Sequence, residues 1–318
     1  MQLFKVIKPT LVTTDAQLVA CSATESADTT WTAVSATFAL AATCKYNHVR
    51  YECSQAYTSA IHYPDEINSL YWTELGPTNW WAQFDNQNST VTTAVGTLVT
   101  RIAPGGVVPY AALLSVTGAV SATMELTDIT GALLMDGGQP VYSQTIQLDN
   151  TFITNGFEYC FSPFDYKSEI IFGPIPLYAT GTAAGKAQLK CTITGSSGGA
   201  TVTCGGFFAG NAVELGKLLD GPTTGTKTYS RTTTDAFGFT TFVPGESAKT
   251  GTYVIHVEKA DLRKVSGTIK AVKDVPVIWV GSEDVDRSDL VIFGACTNDS
   301  TRHQFSHSLL TLDILGII

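Results

Sequence analysis

Turn signals at strand spacing constrain this chain more than any other feature. Between residues 80 and 221, Pro104-Gly105-Gly106, Asp136-Gly137-Gly138, Gly173-Pro174 and Ser197-Gly198-Gly199 interrupt short runs rich in threonine and valine. Glycine supplies the left-handed backbone of tight turns and proline presets their entry, so each cluster marks a chain reversal. The runs at residues 90–102, 119–126, 188–194 and 201–207 alternate apolar and polar side chains with period two. On a pleated strand that period gives one dry face and one wet face. Packing two antiparallel sheets face to face buries the dry faces together, and residues 80–221 are expected to form a jelly-roll-like antiparallel β-sandwich. A chain of 318 residues with 28 glycines and only 15% charged residues fits a mainly β protein.

The flanks differ from this centre. Residues 1–79 make an N-terminal region with a small aromatic β module at about 31–75, in which Tyr46, Val49, Tyr51, Cys53 and Tyr57 alternate as in a hairpin. Residues 222–318 read as a C-terminal β-rich α+β assembly domain. Its strands are expected at 240–243, 252–258, 277–281, 290–294 and 305–317. Its single amphipathic helix is expected at 259–273, where Leu262, Val265, Ile269 and Val272 recur at spacings of three and four. Asp261 in the first turn and Lys270 and Lys273 in the last suit the helix dipole, and Pro276 stops the run.

With 28 acidic against 19 basic residues, the net charge is −9. Such a surface has no basic stripe on which a phosphate backbone could release counterions, which argues against nucleic-acid binding. No apolar run reaches membrane-spanning length and the opening residues do not read as a leader, so a soluble product made in the cytoplasm is expected, without membrane insertion. Seven cysteines without a CxxC pair argue against a disulfide framework or a structural zinc site. A four-residue loop at 196–199 would place Cys191 opposite Cys204 across a hairpin, as two small apolar residues facing one core.

Several local patterns resemble chemistry that their surroundings do not support. Gly195-Ser196-Ser197-Gly198-Gly199 has the spacing of a hydrolase nucleophile elbow, which needs a helix after the serine, and here a strand follows. The stretch from Gly181 to Lys186 is one residue short of a phosphate loop and lacks the hydroxyl that would reach magnesium. His303 and His307 would lie about 13 Å apart in one strand. Glu283, Asp284, Asp286 and Asp289 lack the glycine and distal glutamate of a calcium loop. No catalytic residue, metal ligand or cofactor site is assigned.

Aromatic residues carry the remaining information. Trp31, Tyr46, Tyr51, Tyr57, Tyr71 and Trp72 could stack on the apolar faces of sugar rings, in an order loosely similar to small chitin- and cellulose-binding modules, or could form the module's own core. Trp80, Trp81 and Phe84, beside the Gly76-Pro77 turn, are expected to pack the junction between module and sandwich.

Residues 71–85 also resemble a segment of tailed-bacteriophage virion proteins, in which a Tyr-Trp pair, an acidic residue, Gly-Pro-Thr-Asn and a Trp-Ala-x-Phe-Asp run follow one another. A second segment, Leu215-Gly216, Gly221, Tyr229-Ser230-Arg231-Thr232 and Thr234-Asp235-Ala236-Phe237-Gly238, is similar to that family's Tyr-Ser-Arg stretch before an Asp-x-Phe-Gly turn. A third comprises Pro276 to Gly281 with Trp279, then Phe293-Gly294 and the ending Leu312-Asp313-Ile314-Leu315-Gly316. The sequence departs from the pattern at Trp81, where an Arg-Trp order is usual, and at Gly245-Glu246, where the family tends to carry an arginine.

The resemblance implies a non-enzymatic structural protein of the virion, in the tail or tail tip. It would assemble as a symmetric ring or trimer with itself and with neighbouring virion subunits. The alternatives are a carbohydrate-binding adhesin whose partner is a host-surface glycan, and a capsid decoration protein.

Overall fold

The computed structural model describes residues 2–33, 36–67, 69–148, 168–219, 221–234 and 237–317. The fold is mainly β, and among the described residues it has one α-helix, Leu262–Val272, of eleven residues. Its centre is a two-layer sandwich. One layer is a five-stranded antiparallel sheet in the order Ser143–Gln147, Ala119–Thr127, Gln188–Gly195, Thr97–Ile102 and Leu18–Cys21. The opposing layer comprises Ile170–Phe172, Tyr110–Leu114 and the first half of the long strand Gly206–Leu218, with the pair Thr92–Val95 and Thr201–Cys204 beside them. Leu98, Ile102, Met124, Leu126, Leu189 and Ile193 from the first layer meet Ala111, Leu113, Phe172 and Phe207 from the second in one core. Period-two burial along Thr97–Ile102 and Gln188–Gly195 is the alternation visible in the sequence.

The strand Gly206–Leu218 does not stop at the sandwich. Its second half pairs with Leu3–Thr10, which pairs in turn with Val277–Val280. The sheet continues through Val291–His303, His307–Gly316 and Ser247–Glu258, and it returns to its starting strand through Lys217↔His256 and Leu218↔Ile255. Six strands thus close into a barrel, an arrangement that removes exposed sheet edges. Phe4, Tyr253, Ile255, Trp279, Ile292 and Leu312 fill it, and Val265, Ile269 and Val272 add the apolar face of the helix to the same core. Gly216, at φ +144°, sits where the barrel closes, and a Cβ there would lie 2.5 Å from the His256 carbonyl oxygen. On the other face of these strands Ile7, Leu114, Phe208, Ile278 and Phe293 form a third cluster, with Phe208 stacked on Phe293 at 4.7 Å.

Expectation and structure differ in identifiable places. The first 79 residues are not one region: Leu3–Thr10 belongs to the barrel and Leu18–Cys21 to the sandwich. Only the stretch from about Thr29 to Pro77 forms the module, a four-stranded sheet of Thr29–Thr30, Thr43–Tyr46, Val49–Cys53 and Trp72–Pro77 plus the pair Ala36–Phe38 and Tyr57–Ala60. Asn47 and His48 both have positive φ, as a two-residue hairpin turn with the native strand twist requires.

The expected hairpin at 196–199 is absent, because Thr201–Cys204 pairs with Thr92–Val95 in the opposite layer and not with Gln188–Gly195. The loop crosses between layers, and Cys191 and Cys204 face one core from the two sides. The expected strand at 90–102 breaks at Gly96, at φ +78°, and each half joins a different sheet. His303 and His307 do not share a strand. They stand on the two arms of a hairpin, where Gln304 N–H donates to the His307 carbonyl.

Candidate functional site

The aromatic module was the sequence-based candidate for a binding surface. Trp31, Tyr51, Tyr57 and Trp72 are each less than a tenth exposed and form the module's core with Cys44 and Cys53. Trp31 meets Tyr46 edge-on at 4.9 Å, and Tyr57 meets Tyr71 edge-on at 5.5 Å. Trp72 donates its indole N–H to the His62 carbonyl at 3.0 Å. Tyr46 and Tyr71 lie at the rim, half-buried, and Tyr71 is stacked against His62 at 3.6 Å. Interlocked rings of this kind offer edges and not one flat face, so the six residues come together as packing. Burial raises the Tyr51 and Tyr57 phenols above their ordinary range and pushes the Cys44 thiol up to about 12, which keeps all three neutral. The module turns Leu40, Ile61, Tyr63, Ile67 and Leu70 outward instead. Tyr63 and His62 carried no periodic signal in the sequence.

Trp81 and Phe84 enter the sandwich core, and Trp80 packs against it with its indole N–H donated to the Ala23 carbonyl at 2.6 Å. The imidazole of His48, at the module's hairpin turn, stacks on Trp81 at 3.7 Å. Asn79 is the pin of this joint. Its amide donates to the carbonyls of Thr24 and Thr93 at 2.8 and 2.9 Å, while its side-chain oxygen accepts the Thr93 N–H at 2.8 Å. The adjoining Thr78 is buried; it donates its hydroxyl to Glu25 and its N–H to the His48 carbonyl. The Gly-Pro-Thr-Asn segment therefore ties module to sandwich with hydrogen bonds.

A long solvated feature lies elsewhere. Thr223–Thr228 pairs with the first half of Ser247–Glu258, and Arg231–Thr234 with Thr240–Val243, so the chain leaves the barrel as one two-stranded ribbon. Ser230 fastens its middle through hydrogen bonds with the Gly245 backbone. Of the 23 described residues between 223 and 247, all but Ser230 are exposed, including Tyr229, Phe237, Phe239, Phe242 and Val243. Asp235 and Ala236, which belong to the second segment of the phage resemblance, lie outside the described residues. A second tip, between Val291–His303 and His307–Gly316, carries Phe305 at 98% exposure.

Lys5, Glu169 and Lys249 have structural partners. Lys5 Nζ donates to Glu283 at 2.7 Å and to the Tyr110 hydroxyl at 3.0 Å, joining the barrel to the sandwich side of the sheet. Glu283 is thereby drawn out of the acidic group at 283–289. A cavity of about 230 Å³ beside Asn88, Leu114, Glu169, Lys249 and Phe293 contains the Glu169–Lys249 ion pair at 2.6 Å. The six described cysteines are free, and burial pushes Cys204 up to about 12 and raises Cys191 well above its ordinary value, holding both as thiols. Among the described residues, His, Cys, Asp and Glu nowhere gather in a group of three able to hold a metal ion, and no helix is long and apolar enough to cross a membrane. Comparison with known proteins finds no family, curated relative or solved structure that matches this chain.

Proposed function

We propose that this chain is a non-enzymatic structural subunit of a tailed-phage virion, placed in the tail or tail tip and joined to copies of itself and to neighbouring virion proteins. The observation that carries this reading is where the phage-like segments fall. Trp81, Phe84 and Asn79 of the first make the module–sandwich joint. Gly216 of the second stands at the barrel closure, and the exposed ribbon follows it. Trp279 of the third is wholly buried in the barrel and donates to the Gly294 carbonyl at 3.0 Å. At Gly294 itself a Cβ would lie 2.1 Å from the Leu315 carbonyl oxygen. Residues at joints and close strand approaches specify a shape, and a defined shape is what a particle component contributes.

The adhesin alternative loses its flat ring platform to the module's core, and its remaining candidate surface is the rim around Tyr63 and Tyr71. Labelling the chain on purified particles tests the proposal: label on the tail supports it, label on the capsid favours the decoration reading, and an unlabelled particle overturns both.

A further inference from the structure

The ribbon at 223–247 is costly to leave in water. An isolated two-stranded ribbon is marginally stable at best, because half its backbone groups and both faces remain solvated. Its outer edge, Thr223–Thr228, is the last strand of the large sheet. The edge carries Lys227 and no proline, and among the described residues no element covers it, so it presents a row of N–H and C=O groups open on one side. Beyond it Tyr229 and Phe242 stand 47% and 65% exposed. Twenty-two exposed residues in one continuous projection match the roughly 20–30 residues, about 800 Å², that one partner gives to a standard interface.

Charge decides which partner fits. The segment 223–247 carries Lys227, Arg231, Asp235 and Glu246 and is neutral, so the whole net charge of −9 resides on the rest of the chain. Two copies brought together body to body would set acidic surfaces against each other, whereas a neutral ribbon can lie on an acidic body without that repulsion. Contact between a ribbon and a body is head-to-tail, the geometry that closes rings. On the footing of the structural-subunit reading, we propose that the 223–247 ribbon is an assembly arm whose occupant is a second copy of this chain, seated by the 229–246 end that carries Tyr229 and Phe242.

The test uses the full chain and a variant in which residues 229–246 are replaced by an Asn-Gly turn joining the paired Thr228 and Ser247. A second variant, Phe242→Ser, leaves the backbone whole. Sedimentation velocity should show a discrete oligomer for the wild type and a monomer with an unchanged melting profile for the shortened chain. Phe242→Ser should weaken association by roughly tenfold or more. Hydrogen exchange should show the 223–247 amides protected in the oligomer.

A wild-type chain that stays monomeric at about 100 µM overturns the proposal. So does a shortened chain that still forms the same oligomer, or a ribbon that exchanges freely within it, the outcome expected if a different protein is its partner. Particle labelling separates the two readings. A chain borne on particles whose shortened form still assembles removes the arm and leaves the subunit reading intact. Ribbon-dependent oligomers with no place on particles do the reverse.

Discussion

The Lys5 network predicts an asymmetry between two substitutions that delete the same ion pair. The Lys5 side chain is 10% exposed, while those of Glu283 and Glu214 are 45% and 57% exposed. Lys5→Met removes the buried ammonium together with its bonds, and Glu283 is free to turn its carboxylate into water. The lost bonds and the recovered desolvation nearly offset, so the expected cost is about 0–1.5 kcal/mol. Glu283→Gln leaves the ammonium in place with the Tyr110 hydroxyl and a carboxylate at 4.0 Å. Orphaning a fully buried charge costs about 3–5 kcal/mol, and discounting for the half-solvated partner gives roughly 1.5–3 kcal/mol. In the Lys5→Met background Glu283→Gln should then cost close to nothing.

Urea denaturation of the four proteins, followed by tryptophan fluorescence, measures all three quantities. A Lys5→Met variant destabilised as much as Glu283→Gln would refute the reasoning. The pH dependence gives a second readout. Burial works against the ammonium, but hydrogen bonds to Glu283 and Tyr110 outweigh it, and the Lys5 pKa stands above its ordinary 10.5. The associated stability is therefore fully present below that value and is lost as pH rises through the folded pKa. Lys5→Met should flatten this alkaline slope.

Asp28 lies below the usual carboxylate range, first because Arg50 donates to it at 2.5 Å, so its contribution is present above the unfolded value and fades as pH falls through the folded one. Arg50→Met should cost about 1–2 kcal/mol at neutral pH and make the unfolding of the aromatic module less acid-dependent, read by NMR titration. Gly294→Ala forces a Cβ to within 2.1 Å of the Leu315 carbonyl oxygen and should cost about 2–3 kcal/mol or prevent folding, read by thermal melts. Trp72→Ala should cost about 3–5 kcal/mol, and a variant that kept the module's stability while losing glycan binding would restore the adhesin reading.

Much of this architecture was legible. Period-two alternation located Ala119–Thr127 and Gln188–Gly195 to within a residue of their ends, and the apolar spacing of Val265, Ile269 and Val272 marked the helix face. What was not legible depends on pairing across distance. Nothing local distinguishes Leu3–Thr10 as a barrel strand, because its partners begin at Ala209 and Ile278, far along the chain. The glycines at 195, 198 and 199 signalled a reversal correctly, but a tight hairpin and a crossing between layers use the same residue types, and the partner strand decides between them. Tyr63 and His62 lie in a polar loop without periodicity, so their place at the module's rim emerges only from the fold.

The strand Gly206–Leu218 has a mechanical consequence for any assembly. Phe207 and Ala209 point into the sandwich core, Phe208 into the cluster on the opposite face, and Leu215 and Leu218 into the barrel. One continuous hydrogen-bonded strand therefore belongs to three packed interiors, and close-packed interiors do not deform smoothly. At one end the sandwich is pinned to the aromatic module by Asn79 and the His48–Trp81 stack. At the other the ribbon extends from Thr223–Thr228, which is paired within the same sheet as Gly206–Leu218. Seating the ribbon on a neighbour would fix the direction in which the module points, since rotation between them requires breaking one of those cores or the Asn79 joint. Loosening the pin alone, by Asn79→Ala, should leave ribbon-dependent oligomers intact while broadening the module's orientation in particle images, and an oligomer lost together with the pin would show that the module itself makes the contact.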